Sequence, residues 1–286
     1  MAQAFASTQL IIMDLAKRIR LNRLFAHPSK RLCSVAVDHF VGYQKGLPEG
    51  LADLPEAIRK LVEGKPDAIT MLKGTAKSAW EPYAGRIPLI IQSVCFTAND
   101  ATIENIARPE EVLRLGADAI AVSLGVRGPN EGKFLKILSQ MVEEADRIGL
   151  PVISHIYPRD FTKGGTIVHD AENILWAVRC GIECGADVIK VPFTGEASSF
   201  SKIVASSPVP VVAAGGPRCD SLQSALEMMV KVVDSGARGA TIGRNIWGAP
   251  DPTRALVAFR AVIHDRLTPA AALKTAGLSS RPRAPR

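Results

Sequence analysis

The 286-residue sequence lacks several things, and each shortage closes off a class of protein. No apolar stretch reaches the ~20 residues a helix needs to cross a bilayer, so no membrane role is expected. Aromatic residues make up only 5% of the chain, and no basic run is interleaved with them, so no nucleic-acid surface is expected. The formal charge of +7 suits instead an enzyme that handles anionic substrates. Part of that excess sits in Arg281, Arg283 and Arg286 of the tail SSRPRAPR, whose end reads as disordered. The five cysteines, Cys33, Cys95, Cys180, Cys184 and Cys219, contain no CxxC pair. Cys180 and Cys184 lie four apart on an expected helix, but with no His pair nearby no metal is expected. Reduced core cysteines in a cytoplasmic protein are the expectation. No Pro/Gly/Ser-rich linker separates the segments, which argues for one domain, and no GxGxxG follows the first strand-like run.

What is present is a rhythm. The chain is 47% apolar, and short apolar runs recur eight times: LCSVAVDH (32–39), DAITML (67–72), PLIIQSV (88–94), DAIAVSL (118–124), LPVISHIY (150–157), DVIKV (187–191), PVPVVAAGG (208–216) and GATIGR (239–244). They are near-continuous in Val, Ile and Ala, as parallel strands covered on both faces are. Between them lie helical patterns that stop at glycine, and GADAI, GADVI and GARGA each lead from a stop straight into a strand. The fold class expected is α/β, a (β/α)8 TIM barrel with an extra N-terminal helix. Residues 1–29 form the helical extension, 30–270 the barrel and 271–286 a basic tail. The extension is amphipathic and basic over 7–25. It is expected to start at Ser7 or Thr8 and to pack on the domain through Leu10, Ile11, Leu15 and Ile19.

A barrel places its chemistry at the C-terminal ends of its strands. The seventh and eighth runs end in AAGGPR and TIGRN. Backbone N–H groups at Gly215, Gly216, Gly243 and Arg244 can approach an anion closely there, and the arginine adds a charge-assisted contact. Two glycine sites at consecutive strand ends point to a phosphate. The same geometry serves flavin mononucleotide barrels, so it identifies the anion and not the reaction.

Lys190 stands among Val188, Ile189, Val191 and Phe193. Desolvation lowers an amine's pKa, and a neutral amine adds to a ketone to give a Schiff base; the alternative is an ion pair with Asp38 or Glu196. Tyr157, closing the fifth run, is placed to exchange a proton with a substrate hydroxyl, and Asp38, closing the first, to support the iminium. His155 shares a strand face with Tyr157 and is a candidate substrate contact, as are Ser123 and Phe40. His39 is expected to hold structure, and Lys73 and Lys77 to be solvated.

The set AVDH (36–39), IYPR (156–159), ADVIKVPFTG (186–195), AAGGP (213–217) and GRNIW (243–247) resembles the DeoC/FbaB/LacD-type class I aldolases, in the archaeal-type fructose-bisphosphate aldolase and autoinducer-2 aldolase branch. The resemblance implies Lys190 as Schiff-base lysine, Tyr157 as general acid/base, Asp38 as third catalytic residue, and phosphate held by Gly215, Gly216, Gly243 and Arg244. It implies a phosphorylated small-molecule substrate, no cofactor, and a homo-oligomer, a decamer in some relatives. Fructose 1,6-bisphosphate is the first substrate it suggests. A lysine-dependent transferase or synthase on a phosphorylated ketone is the alternative. The sequence departs from the family at Phe40, Asp160, Phe193 and Glu196, which touches the second half of the substrate.

Overall fold

The computed structural model describes residues 15–39, 46–97 and 99–278. Eight parallel strands close on themselves: β1 (Leu32–Ala36), β2 (Ala68–Met71), β3 (Leu89–Gln92), β4 (Ala119–Val126), β5 (Val152–Asp160), β6 (Val188–Val191), β7 (Val211–Ala214) and β8 (Gly239–Ile242). Each pairs with its sequence neighbour, and β8 returns to β1 with Leu32 opposite Gly239. The expected (β/α)8 barrel is what forms.

Around it run α1 (15–24), α2 (Leu54–Glu63), α3 (Lys73–Ala79), α4 (Pro109–Arg114), α5 (Glu131–Asp146) and α6 (Ala171–Glu183). The rest are α7 (Ala197–Ala205), α8 (Leu222–Asp234), α9 (Arg244–Trp247), α10 (Pro252–Asp265) and α11 (Pro269–Thr275). Polar side chains cap the N-termini that the sequence marks: Asp53 accepts from Glu56 N, Asp170 from Asn173 N and Ser221 from Ser224 N. Outward strand residues such as Val35, Ile69, Ile91, Val122 and Ile189 join the helix faces in one large core. Inward ones form a smaller core of Leu32, Ala68, Ile90, Ala119, Ile153, Val188 and Val212 at the N-terminal end of the barrel.

The strand-initial aspartates have a structural job. Asp67 accepts a hydrogen bond from Cys33 N at 2.6 Å, Asp118 from Leu89 N at 3.2 Å and Asp187 from Val152 N at 2.8 Å. Each therefore satisfies an N–H in the first two residues of the preceding odd-numbered strand, a donor the ladder leaves orphaned. These carboxylates also take cations: Arg23 on Asp118, Lys17 on Asp187 and Arg260 on Asp67, with His264 Nε2 2.9 Å from Asp67.

Two expectations need correction. Leu15 and Ile19 do not pack on the domain; they are 50% and 45% exposed. The helix is held instead by the Lys17 and Arg23 ion pairs and by Leu24 and Phe25, which plug the bottom of the barrel against the inner core. Ser7, Thr8, Leu10 and Ile11 lie outside the described residues. The boundary drawn at 270 falls inside α11, which buries Ala272 and Leu273 and packs on α8 and α10. The packed body thus runs through Ala276, while 279–286 lie outside the described residues.

Leu24 is 0% exposed, so Leu24→Ala should lower unfolding free energy by about 2–4 kcal/mol in a denaturant titration. Leu15→Ala in the same titration should stay within about 0.5 kcal/mol of wild type.

Candidate active site

The sequence of β6 alternates in register with the barrel wall, so Val188 and Lys190 face inward while Ile189 and Val191 face the helices. Lys190 is 6% exposed and lies level with His155 of β5 and Val212 of β7. Burial pulls its amine down to about 8, and the negative charge of Asp38 pulls partly back. Among the described residues no carboxylate stands within ion-pair distance of it. Glu196, the alternative partner, is taken by Lys231 at 2.8 Å.

Asp38 lies just beyond β1, with its Oδ1 3.6 Å from His39 Nδ1. His39 does hold structure, because an ideal Cβ on Gly243 would sit 2.3 Å from its Cε1, and its ring meets Trp247 edge-on at 5.4 Å. Burial lowers the His39 pKa, Asp38 opposes this, and Lys190 and Arg244 add to it. His155 is 2% exposed and held well below its ordinary value by burial, with Lys190 and His39 contributing. It is a neutral imidazole beneath the mouth. Tyr157 follows two residues later on the same inward face, half-buried and level with Gly125. Ser123 is level with His155 and half-buried. Phe40 lies outside the described residues. The structure therefore brings Asp38, His39, His155, Tyr157, Ser123 and Lys190 around one mouth.

The glycine loops adjoin it. Gly216 has φ of +72°, which only glycine takes without strain, and Arg244 Nη2 donates to its carbonyl at 3.1 Å. The backbone N–H groups of Gly216, Gly243 and Arg244 make no hydrogen bond among the described residues, and Arg244 Nε is buried without a protein acceptor. Those donors are open to an anion. Gly215 is the exception: its N–H donates to Thr241 O at 2.9 Å, so it continues the β7–β8 ladder and has no proton to offer. Its value is its lack of a side chain, since a Cβ there would lie 2.7 Å from Ile242 Cα.

Other expected neighbours sit elsewhere. Lys73 and Lys77 both reach Glu111, at 2.9 and 3.7 Å. Phe193 is buried edge-on against Phe200 at 5.2 Å. Asp160 caps the short turn at Phe161–Lys163 through Thr162 N.

Two features escaped sequence reasoning. Asn245 is buried and ties the loops together: its Nδ2 donates to Gly215 O and Pro217 O, both at 2.9 Å, and its Oδ1 accepts from Cys219 N at 2.9 Å. Its place directly after Gly-Arg was the available signal. Arg159 meets Asp100 at 3.3 Å with both side chains 2% exposed, and donates to Gly165 O and Thr97 O. It pins the hairpin Val94–Phe96/Ile103–Asn105 against β5. Asp100 lies about 60 residues from Arg159 in an unpatterned loop, so no local signal announced the pair.

Comparisons with known proteins identify the family and agree with the barrel fold. The sequence model of the DeoC/LacD family aldolases matches residues 32–249. A 2-amino-3,7-dideoxy-D-threo-hept-6-ulosonate synthase from Halobacterium salinarum is 32% identical over 267 residues, spanning 93% of this chain and 98% of its own. The 2-amino-4,5-dihydroxy-6-oxo-7-(phosphonooxy)heptanoate synthase of Streptomyces griseus is 30% identical, spanning 93% and 96%. A solved archaeal fructose-1,6-bisphosphate aldolase, with its catalytic Lys covalently bound to the carbinolamine intermediate of the substrate, superposes with a TM-score of 0.76 at 25% identity, over 87% of this chain and 99% of that one.

A buried ammonium without an ion-pair partner destabilises the fold. Lys190→Met should therefore raise stability near pH 7 by about 2 kcal/mol. The folded amine titrates at about 8, below the ordinary lysine value of 10.5, so the wild-type penalty is full below pH 8. It fades as pH rises toward the unfolded value, and the advantage of the variant should vanish with it in melts taken across that range.

Proposed function

The chain belongs to the DeoC/LacD family and is a class I aldolase; from that premise we propose that it makes or breaks a carbon–carbon bond in a phosphorylated ketose through an imine on Lys190. One observation carries the reading: a buried, inward-facing amine at about 8 on β6, beside open backbone donors at Gly216, Gly243 and Arg244 on the next two strand ends.

In this reading the loop donors and Arg244 hold the phosphate ester and so set which carbonyl faces Lys190. The neutral amine adds to the ketone carbon, and the ketone oxygen leaves as water to give a protonated imine. Asp38, whose charge acts on the amine, supports that dehydration. Tyr157 then takes the proton from the hydroxyl on the carbon two bonds from the imine carbon. The bond between that hydroxyl-bearing carbon and the carbon next to the imine breaks, its electron pair forms the enamine double bond as the imine pair moves onto nitrogen, and an aldehyde leaves. Tyr157 returns a proton to the enamine carbon, and water releases the ketone and the free amine. Neutral His155 adds no competing positive charge beneath the iminium.

Fructose 1,6-bisphosphate, giving dihydroxyacetone phosphate and glyceraldehyde 3-phosphate, is the first substrate this reading names. The relatives favour a second reading of the acceptor half, since the two at 32% and 30% identity are synthases. A seven-carbon product with a 6-ketone, a 7-phosphate and a 4-hydroxyl disconnects by the same aldol rule into dihydroxyacetone phosphate and a four-carbon amino aldehyde. The phosphorylated donor is thus common to fructose 1,6-bisphosphate and the product named for the Streptomyces griseus relative, whereas the 7-deoxy product named for the Halobacterium salinarum relative carries no oxygen at C7; the departures at Phe40 and Asp160 concern the acceptor.

Borohydride reduction with dihydroxyacetone phosphate should leave a stable adduct that maps to Lys190 and is absent from Lys190→Ala. Tyr157→Phe should still trap but turn over about 10²–10³-fold more slowly. Cleavage or condensation surviving in Lys190→Ala would remove the mechanism. Parallel incubations with glyceraldehyde 3-phosphate and with 2-amino-4-oxobutanoate decide the acceptor by which product accumulates.

A further inference from the structure

Three polar atoms inside the barrel have no hydrogen-bond partner among the described residues: Ser34 Oγ on β1, Thr70 Oγ1 on β2 and Gln92 Oε1 on β3. Their residues are 0%, 0% and 3% exposed. They are not scattered. Ser34 is level with Ala68, and Thr70 is the next inward residue above Ala68; Thr70 is level with Ile90, and Gln92 is the next inward residue above Ile90. The three therefore climb diagonally across neighbouring strands. Diagonal neighbours of this kind stand about 7 Å apart, too far for a direct hydrogen bond and within the span of a water or two. Gln92 Nε2 donates to Val94 O at 2.9 Å, which orients the amide and leaves Oε1 as an acceptor.

The side chains beside them are small. Barrel interiors are ordinarily filled by bulky branched side chains, yet inward positions on β1, β4 and β7 are Ala36, Ala121 and Ala214. Across the closed ring, β2 stands opposite β6 and its Lys190. Buried polar groups left without protein partners in a roomy polar space are where proteins hold internal water.

We infer that the barrel interior between β1, β2 and β3 binds a cluster of ordered water, anchored by Ser34, Thr70 and Gln92, that solvates the Lys190 ammonium from inside the barrel. The groups that face Lys190 leave that task open. Asp38 and His39 stand beyond the end of β1, His155 and Tyr157 on β5, and Arg244 beyond β8. Asp38 is the one carboxylate among them, and it is outside ion-pair distance. Strands β2, β3 and β4 present Thr70, Gln92 and Ser123, and β7 presents Val212 and Ala214, none of them charged. Water on the staircase gives the protonated amine hydrogen-bond acceptors without a fixed counter-charge, so the amine stays titratable near neutrality. This rests on the proposed function only in taking Lys190 as the amine that condenses with the carbonyl.

Ser34→Ala and Thr70→Val delete hydroxyls at nearly constant volume, with Thr70→Ser as the variant that keeps one. If the hydroxyls hold water, both deletions lower the melting temperature, and the pH midpoint of borohydride trapping falls by about one unit as the ammonium loses its solvation. Thr70→Ser should keep the wild-type midpoint. If the hydroxyls are dry and unsatisfied, deleting them removes a burial cost. A melting temperature equal to or above wild type in both deletion variants, with the trapping midpoint unmoved, overturns the inference. Absence of any adduct in the wild type would count against the proposed function, and the melts would still decide the water site.

Discussion

The structure turns on keeping one amine out of bulk water without giving it a counter-charge in contact. A carboxylate touching Lys190 Nζ would hold it as an ammonium far above neutrality, and exposure to bulk water would do nearly the same. Burial among Val188, Val212 and the barrel wall brings it down to about 8. Asp38 is close enough to act through its field and too far to form an ion pair. His155, directly level with the lysine, is kept neutral by the same burial, so the pocket does not accumulate positive charge.

The two ends of the barrel divide the labour. At the N-terminal end, Asp67, Asp118 and Asp187 each close an orphaned strand N–H and take cations from α1 and α10, while Leu24 and Phe25 plug the interior. That end is satisfied and apolar, and it carries stability. At the C-terminal end the opposite holds: open N–H groups at Gly216, Gly243 and Arg244, a buried Arg244 Nε without a protein acceptor, and polar atoms left over in the interior. Buried donors without a protein acceptor cost free energy, which a bound anion would offset. Asn245 and the Arg159–Asp100 pair hold the loops in place so that this cost is concentrated at one mouth.

Much of this was legible beforehand, for reasons that differ from residue to residue. The strands could be read because double-sided burial writes itself as uninterrupted Val, Ile and Ala, and because glycine marks each helix stop. Lys190 stood out because a charge inside such a run has few explanations. Leu15 and Ile19 misled because helical periodicity gives a face but not what covers it; here ion pairs and the residues at the helix end do the holding. Gly215 misled because a glycine beside a phosphate loop looks like a donor until the ladder claims its N–H.

The sequence alone determined the barrel, the strand on which each functional side chain rides and the direction it faces, since a period of two along a strand and a βα repeat leave little freedom. It could not determine that Asp38 stops short of contact with Lys190, that Glu196 goes to Lys231, or that Asp100 meets Arg159. Those are distances between residues far apart in the chain. They depend on how the sheet closes and how loops settle over its rim, and only the folded geometry sets an amine's surroundings to within the few ångströms on which its charge depends.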